Sequence, residues 1–279
     1  MYVFKHAFEL KNYLSSARQA GKSIGFVPTM GALHDGHLQL IAQARQHTDL
    51  VVCSIFVNPT QFNDPKDYEK YPSTIAQDTE KLVAAGNNVL FLPAVAEMYP
   101  EGLASTSQYD FGYLETLLEG SYRPGHFQGV GRVMHKLLKM IMPHQVFMGQ
   151  KDFQQCMIVK RLLEITGLPA QLVISPTTRE ASGLAMSSRN MRLSAEERQT
   201  ATLIYQVLTY ITQHRSDIDY APVVAEATRR LVAGGFVPDY VAIADAATLL
   251  PITGAIPGKQ VALIAAKLGE VRLIDNVVY

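Results

Sequence analysis

Three things are scarce in this chain of 279 residues: tryptophan is absent, cysteine occurs twice, and neither charge sign is in excess. No uninterrupted apolar run approaches the ~20 residues that would span a bilayer, so no membrane segment is expected. The opening stretch MYVFKHAFEL carries charge early and lacks the basic-then-apolar layout of a secretory leader, which points to a cytoplasmic protein. Cys53 and Cys156 sit in apolar surroundings, VVCSIF and QQCMIV, with no CxxC pair. They read as reduced core residues, neither disulfide partners nor metal ligands. Lys+Arg and Asp+Glu both number 25, so no basic stripe advertises a polynucleotide as the main substrate. What remains, 48% hydrophobic and 18% charged, is the composition of an ordinary globular protein long enough to bury one large core or two smaller ones.

Along residues 1–176, apolar strand-like runs alternate with segments of helical period, the pattern of a parallel sheet covered by helices. The strand candidates are IGFVPT (24–29), LVVCSIFV (50–57), NVLFLP (88–93), QVFMG (145–149) and QLVIS (171–175). Several are almost wholly apolar, as strands buried on both faces should be. Helices are expected over 7–20, 38–47, 74–85, 128–142 and 153–166. The fourth is the clearest, because Val130, Val133, Met134, Leu137, Leu138 and Ile141 recur at i, i+3, i+4 and i+7. Beyond Pro176 the texture changes. A polar loop, TTREASGLAMSSRNMRL, leads to helices over 195–213 and 222–233 and then to three short strands, DYVAIAD, VALIAAKL and VRLIDNVV. The expected fold is therefore α/β: a parallel-sheet N-terminal domain over 1–176 and a smaller α+β C-terminal domain over 177–279, with the boundary within 176–192.

The stretch VPTMGALHDGHLQL carries the chemistry. It places His34 and His37 three residues apart, between a strand and a helix. In open parallel sheets, ligands bind beyond the carboxyl ends of strands, where loops meet helix N-termini. Unpaired N–H groups and roughly half a positive charge of helix dipole make such an end a phosphate site. The spacing does not match an i, i+4 zinc pair, and no third ligand follows at a recognisable distance. On spacing alone, two histidines placed by coincidence remain an equal alternative. Met186–Asn190, MSSRN, adds two hydroxyls and a guanidinium able to donate to phosphate.

HDGH between a strand and a helix resembles the HIGH signature of the nucleotidyltransferase superfamily. Three further stretches, SIFVNPTQF (54–62), SYRPGHFQGV (121–130) and GQKDFQQ (149–155), occur in order with VPTMGALHDGH, SSRN and the C-terminal RLIDN. Together they resemble the pantothenate synthetase (pantoate–β-alanine ligase) family over essentially the whole chain. The runner-up, a nucleotidyltransferase of the same superfamily that adenylates a phosphate-bearing substrate, would want additional basic residues where this chain offers the neutral amides of Gln61 and Gln155. A non-catalytic nucleotide sensor would be expected to have lost part of its basic set.

The resemblance implies a Rossmann-like N-terminal domain that binds ATP and pantoate, and a C-terminal domain that closes over the site. It implies adenylation of pantoate with loss of pyrophosphate, then attack of β-alanine to give pantothenate and AMP, with no organic cofactor. Mg²⁺ would arrive with ATP, and no fixed protein metal site is implied. Catalytic roles fall on His37, His34, Lys151 and Arg189. ATP contacts fall on Met30, Gly31, Ala32, Leu33, Asp35 and Gly36 besides the histidines. They continue through Gly149, Gln150 and Asp152, the last a candidate for the ribose or the Mg²⁺, and end with Thr178, Met186, Ser187 and Ser188. Gln61 and Gln155 would hold pantoate, with β-alanine next to Gln61. The family also implies a homodimer formed through the N-terminal domain, with neither nucleic acid nor membrane as a partner. Gln150 departs from the glutamate that many relatives carry, and Thr60 from the methionine of some.

Overall fold

The structure, a computed structural model, describes residues 1–63, 68–103 and 107–279. It divides into two compact units: Met1–Gly149 with Gln154–Pro176, and Thr177–Tyr279 with the short insert Gln150–Phe153.

The first unit is built on a six-stranded sheet in the order β1-β4-β3-β2-β5-β6. Its strands are β1 (Tyr2–Phe4), β2 (Ile24–Thr29), β3 (Leu50–Ile55), β4 (Val89–Phe91), β5 (Gln145–Gly149) and β6 (Gln171–Ser175). Every pairing is parallel. All six residues of β3 are buried, which is why that run reads as continuously apolar. Helices α1 (Ala7–Gln19), α2 (Asp35–His47), α3 (Ile75–Ala84), α4 (His126–Ile141) and α5 (Phe153–Thr166) accompany the sheet. The predicted stripe of α4 is buried at all six positions, each side chain contributing about 1.5–3 kcal/mol by leaving water. The helix stops at Met142, which takes a left-handed φ of 47° ahead of Pro143.

Strand order positions the site. From β2 the chain adds β3 and then β4 on one side, and afterwards crosses to β5 and β6 on the other. The direction of winding therefore reverses between β2 and β5, and a crevice opens beyond the carboxyl ends of adjacent strands at such a reversal. Those ends are Thr29 and Gly149.

The second unit carries the antiparallel sheet β7 (Val237–Asp245), β8 (Gln260–Leu268), β9 (Val271–Val278), in that order. Helices α6 (Ala195–Ala201), α7 (Leu203–Gln213) and α8 (Ala221–Ala233) belong to it. Its core joins Ile204, Val207, Ile211, Val223 and Leu231 to Ile243, Ile264 and Leu273 of the sheet.

Three differences from the sequence expectation have local causes. β1 was not expected: it is an edge strand paired only with β4, and Tyr2 and Val3 are 62% and 49% exposed, so no buried pattern marks it. The helix expected over 195–213 is two helices. The Thr202 hydroxyl donates to the Gln199 carbonyl at 2.7 Å and competes with the helical ladder there. The helix expected from 38 begins at Asp35, which makes His34 of HxGH its N-cap and places His37 in its first turn. Among the described residues no helix is long and apolar enough to cross a membrane.

Candidate active site

In the first unit, the loop leaving β2 is shaped by a carboxylate that sequence reading did not single out. The Thr29 hydroxyl donates to the Ser54 carbonyl at 2.7 Å and accepts the Gly31 N–H at 3.3 Å. Gly31 (φ +84°) and Ala32 (φ 49°) are both left-handed, so the chain turns sharply. A Cβ on Gly31 would lie 3.1 Å from the Ile55 side chain and 3.2 Å from the Asp78 carboxylate. Glycine relieves both the strain and the crowding.

Asp78, fully buried on α3, accepts the N–H of Ala32 at 2.9 Å through Oδ2 and that of Leu33 at 2.8 Å through Oδ1. The Thr74 hydroxyl donates to the same Oδ2 at 3.1 Å, and the Lys81 ammonium donates to the Leu33 carbonyl at 2.5 Å. Ala32 and Leu33 are also buried. Their amides thus face the protein, so these two residues frame the loop and do not present donors from their backbone.

What the loop presents is the first turn of α2. His34 is its N-cap in extended conformation, and His37 is the third helical residue. The two imidazoles lie side by side, with centroids 4.0 Å apart and planes tilted by 40°. The His34 N–H donates to His37 Nδ1 at 3.3 Å. Because Nδ1 accepts, the neutral His37 ring carries its hydrogen on Nε2. The N–H groups of Asp35 and Gly36 lie in the first turn and cannot bond within the helix. Half-buried rings, first-turn amides and the helix dipole make this corner a natural anion site.

The loop after β3 adds Gln61. Asn58 is fully buried and its amide donates to the Gln61 Oε1 and to the Gly129 carbonyl, both at 3.2 Å. Its Oδ1 accepts the Tyr99 hydroxyl at 2.8 Å and both donors of Thr60. The Gln61 Nε2 points at the Met30 sulfur, 3.0 Å away, so Gln61 and the HxGH loop meet in one unit. His126 Nδ1 lies 2.8 Å from the Gln61 carbonyl. Helix α4 approaches this turn so closely that a Cβ on Gly129 would lie 2.3 Å from the Thr60 carbonyl oxygen. Gln61 stands out in the sequence and Asn58 does not, although an Asn just before Pro is a turn-capping signal. Gln155, on α5, is half-buried in the same unit.

In the second unit, Gln150, Lys151 and Asp152 form a single 3₁₀ turn, with the Lys151 ammonium 3.9 Å from Asp152 and the Asp152 carboxylate half-exposed. Asn276 on β9 donates to the carbonyls of Gln150 and Lys151, both at 2.9 Å, and accepts the Gln150 side chain at 3.2 Å. The predicted polar loop is ordered. Met186 N–H donates to the Thr178 carbonyl at 3.0 Å, and Arg179 bridges to Ala185. Arg179 grips Asp275 with two hydrogen bonds of 2.6 and 3.0 Å and stacks 3.9 Å over the Tyr205 ring. Burial pushes the Asp275 carboxyl upward, and the guanidinium pulls it back. Ser187 caps the 3₁₀ turn Ser188–Arg192 by accepting the Arg189 N–H at 3.2 Å. Ser188 is buried and Arg189 partly exposed. Among the described residues, no group of three or more His, Cys, Asp or Glu side chains is arranged to hold a metal.

A parallel sheet with a topological switch, whose switch-point loop carries HxGH into the first turn of a helix, resembles the framework of the nucleotidyltransferases. The chain belongs to the pantoate–β-alanine ligase family, whose sequence model matches residues 2–278. A pantothenate synthetase of Pseudomonas fluorescens is 46% identical over 278 residues, covering 99% of this chain and 97% of the relative. One from Aliivibrio fischeri is 42% identical over 280 residues, covering 100% of this chain and 96% of the relative. Among solved structures, a pantothenate synthetase of Thermus thermophilus superposes with a TM-score of 0.91 at 40% identity, covering 99% of both chains. The pantoate–β-alanine ligase of Francisella tularensis, described in complex with β,γ-ATP and β-alanine, has a TM-score of 0.84 at 34% identity, covering 100% of this chain and 97% of that one.

Proposed function

We propose that this chain condenses pantoate with β-alanine, converting ATP to AMP and pyrophosphate. The observation that carries the reading is the meeting, in one unit, of the HxGH helix turn with the clamped neutral amide of Gln61, inside a chain that matches the ligase family from end to end. A neutral amide suits a hydroxy acid; an adenylating enzyme for a phosphate-bearing substrate would need a further cation there.

The chemistry asks for positioning and charge stabilisation. A pantoate carboxylate oxygen attacks the α-phosphorus, the bond from that phosphorus to the bridging oxygen breaks, and pyrophosphate leaves with the electron pair. The β-alanine amine then attacks the acyl carbon of the mixed anhydride, AMP departs, and the amine loses a proton. Adenylation is what turns the carboxylate oxygen into a leaving group, so the protein need form no covalent bond.

In the first unit, the His37 Nε2–H is aimed by the Nδ1 contact and donates to a phosphate oxygen as charge builds there. His34 lies against it and contributes a second ring, while the amides of Asp35 and Gly36 supply backbone donors; Met30, Gly31, Ala32 and Leu33 set the loop. Such preorganised donors are worth about 10²–10³ in rate each. Gln61 spends one amide hydrogen on the Met30 sulfur and retains a second for pantoate. Gln155 is the second pantoate ligand, and Gly149, ending β5, lets the chain approach a nucleotide with no side chain. In the second unit, Lys151, Arg189, Ser187 and Ser188 are assigned to ATP phosphates, and Gln150, Thr178 and Met186 to the nucleotide through their backbones. Mg²⁺ neutralises phosphate charge when it enters with ATP. Half-exposed Asp152 suits one contact to such an ion, in keeping with a cation held mainly by its nucleotide and water. We read the protein as a cytoplasmic homodimer; two buried free thiols support a reducing compartment.

Incubation with ATP, pantoate and β-alanine should yield pantothenate, AMP and pyrophosphate in equal amounts, with ADP absent. Release of ADP and phosphate in place of AMP would refute the adenylation chemistry.

A further inference from the structure

We propose that Asn276, near the C-terminus, is the positioning residue for Lys151, and that the Asp275–Arg179 pair locks it in place. The proposal rests on the reading of Lys151 as an ATP-phosphate ligand.

Lys151 sits on a 3₁₀ turn of three residues that runs from the end of β5 directly into α5. Asn276 ties that turn to β9. Its Nδ2 carries two hydrogens, and the carbonyls of Gln150 and Lys151 lie 2.9 Å away, so both hydrogens are used. Its Oδ1 accepts the Gln150 side-chain amide at 3.2 Å, which also fixes the orientation of the Asn276 amide. Asn276 is 2% exposed, so water does not replace these bonds cheaply.

Asn276 is itself held from the other face of β9. Asp275 alternates with it along the strand, on the side of Val271 and Leu273, which pack in the helix-covered core. The Asp275 Oδ1 accepts the Asn276 N–H at 2.8 Å, and Arg179 closes on both Asp275 oxygens and on the Asn276 carbonyl at 3.3 Å. Arg179 also donates to the Gly183 carbonyl at 3.1 Å, within the segment that leads to Ser187 and Arg189. One dipeptide of β9 therefore fixes two segments: the turn bearing Lys151 on one face, and the loop running to Arg189 on the other. An asparagine is required for this geometry, because aspartate has the same shape but no hydrogens to give the two carbonyls.

The test uses the full chain and three readouts. Asn276→Ala and the isosteric Asn276→Asp should each lower pantoate-dependent exchange of labelled pyrophosphate into ATP, through kcat more than KM, by about 10²-fold, the loss expected when a catalytic group is displaced by ~1 Å. Amide hydrogen exchange across residues 149–153 should accelerate at least about tenfold, while cooperative unfolding is retained. In a Lys151→Ala background the further loss from Asn276→Ala should shrink to less than about threefold, since groups acting through one another are non-additive. Full additivity with Lys151→Ala, unchanged amide exchange, or near-normal activity of Asn276→Asp would each overturn the proposal. If the unaltered protein shows no pantoate-dependent exchange, the ligase reading fails instead, and the amide-exchange comparison still decides whether Asn276 holds the turn.

Discussion

Removing the Asp78 carboxylate should unhook the HxGH loop, and its consequences can be worked out from the hydrogen bonds it makes. The two oxygens satisfy the buried amides of Ala32 and Leu33 and the part-buried hydroxyl of Thr74. Asp78→Asn keeps the shape but turns one acceptor into a donor that faces a donor. One buried group is then unsatisfied, at a cost of about 1–3 kcal/mol. Asp78→Ala abandons both amides and leaves a small void, and the same accounting gives about 3–5 kcal/mol. Urea unfolding followed by fluorescence of the tyrosines reads the loss as a shift in midpoint at unchanged slope. Activity should fall by more than stability alone requires, because Gly31 and Ala32 hold left-handed conformations that the Asp78 contacts help to maintain. A loop shift of ~1 Å would cost about 10²-fold in pyrophosphate exchange at denaturant-free conditions, where the variant is still folded. If Asp78→Asn unfolds within about 0.5 kcal/mol of the parent and exchanges pyrophosphate normally, Asp78 is not what shapes this loop.

Three other perturbations have defined outcomes. His37→Ala removes a half-buried ring that we assign to a phosphate oxygen, so adenylation should slow by about 10²–10³ while the urea midpoint stays in place; a large loss of stability would make His37 structural. Gly129→Ala puts a methyl 2.3 Å from the Thr60 carbonyl oxygen, so the turn bearing Gln61 must move. We expect a raised KM for pantoate and a loss of about 1–3 kcal/mol in stability, and an unchanged KM would separate that turn from pantoate binding. Burial pushes the Cys53 thiol up to about 12, so at pH 8.5 it should resist alkylation in the folded protein and react only in denaturant, which intact mass reports directly. A label on Cys53 without denaturant would contradict the buried placement.

The parts of this molecule that could be read from sequence were those whose signal is local. β2, β5 and β6 were predicted with the bounds the structure shows, and the stripe of α4 marked its buried face. Cys53 and Cys156 are buried and free, as their apolar neighbours suggested. HxGH was legible as a strand-to-helix motif, but the start of the helix was placed three residues late, because neither His34 nor Asp35 was read as part of it. What stayed hidden depended on partners distant in sequence. Asp78, in TIAQDTEKL, looks like one more polar residue of an amphipathic helix, and only its contacts with Ala32 and Leu33, 46 and 45 residues away, give it a role. Asn276 reaches back 125 residues to the Lys151 carbonyl, so the RLIDN stretch could be recognised without its purpose being visible. The backbone amides of Ala32 and Leu33, inside the same motif, point toward Asp78, which the motif itself does not reveal.

The central claim is that a pantoyl adenylate forms before β-alanine is used. It is tested most directly by supplying ATP, pantoate and ³²P-labelled pyrophosphate with β-alanine withheld. Label should appear in ATP only when pantoate is present, with AMP released once β-alanine is added. Label entering ATP with other acids but not with pantoate, or no exchange until β-alanine is supplied, would contradict it.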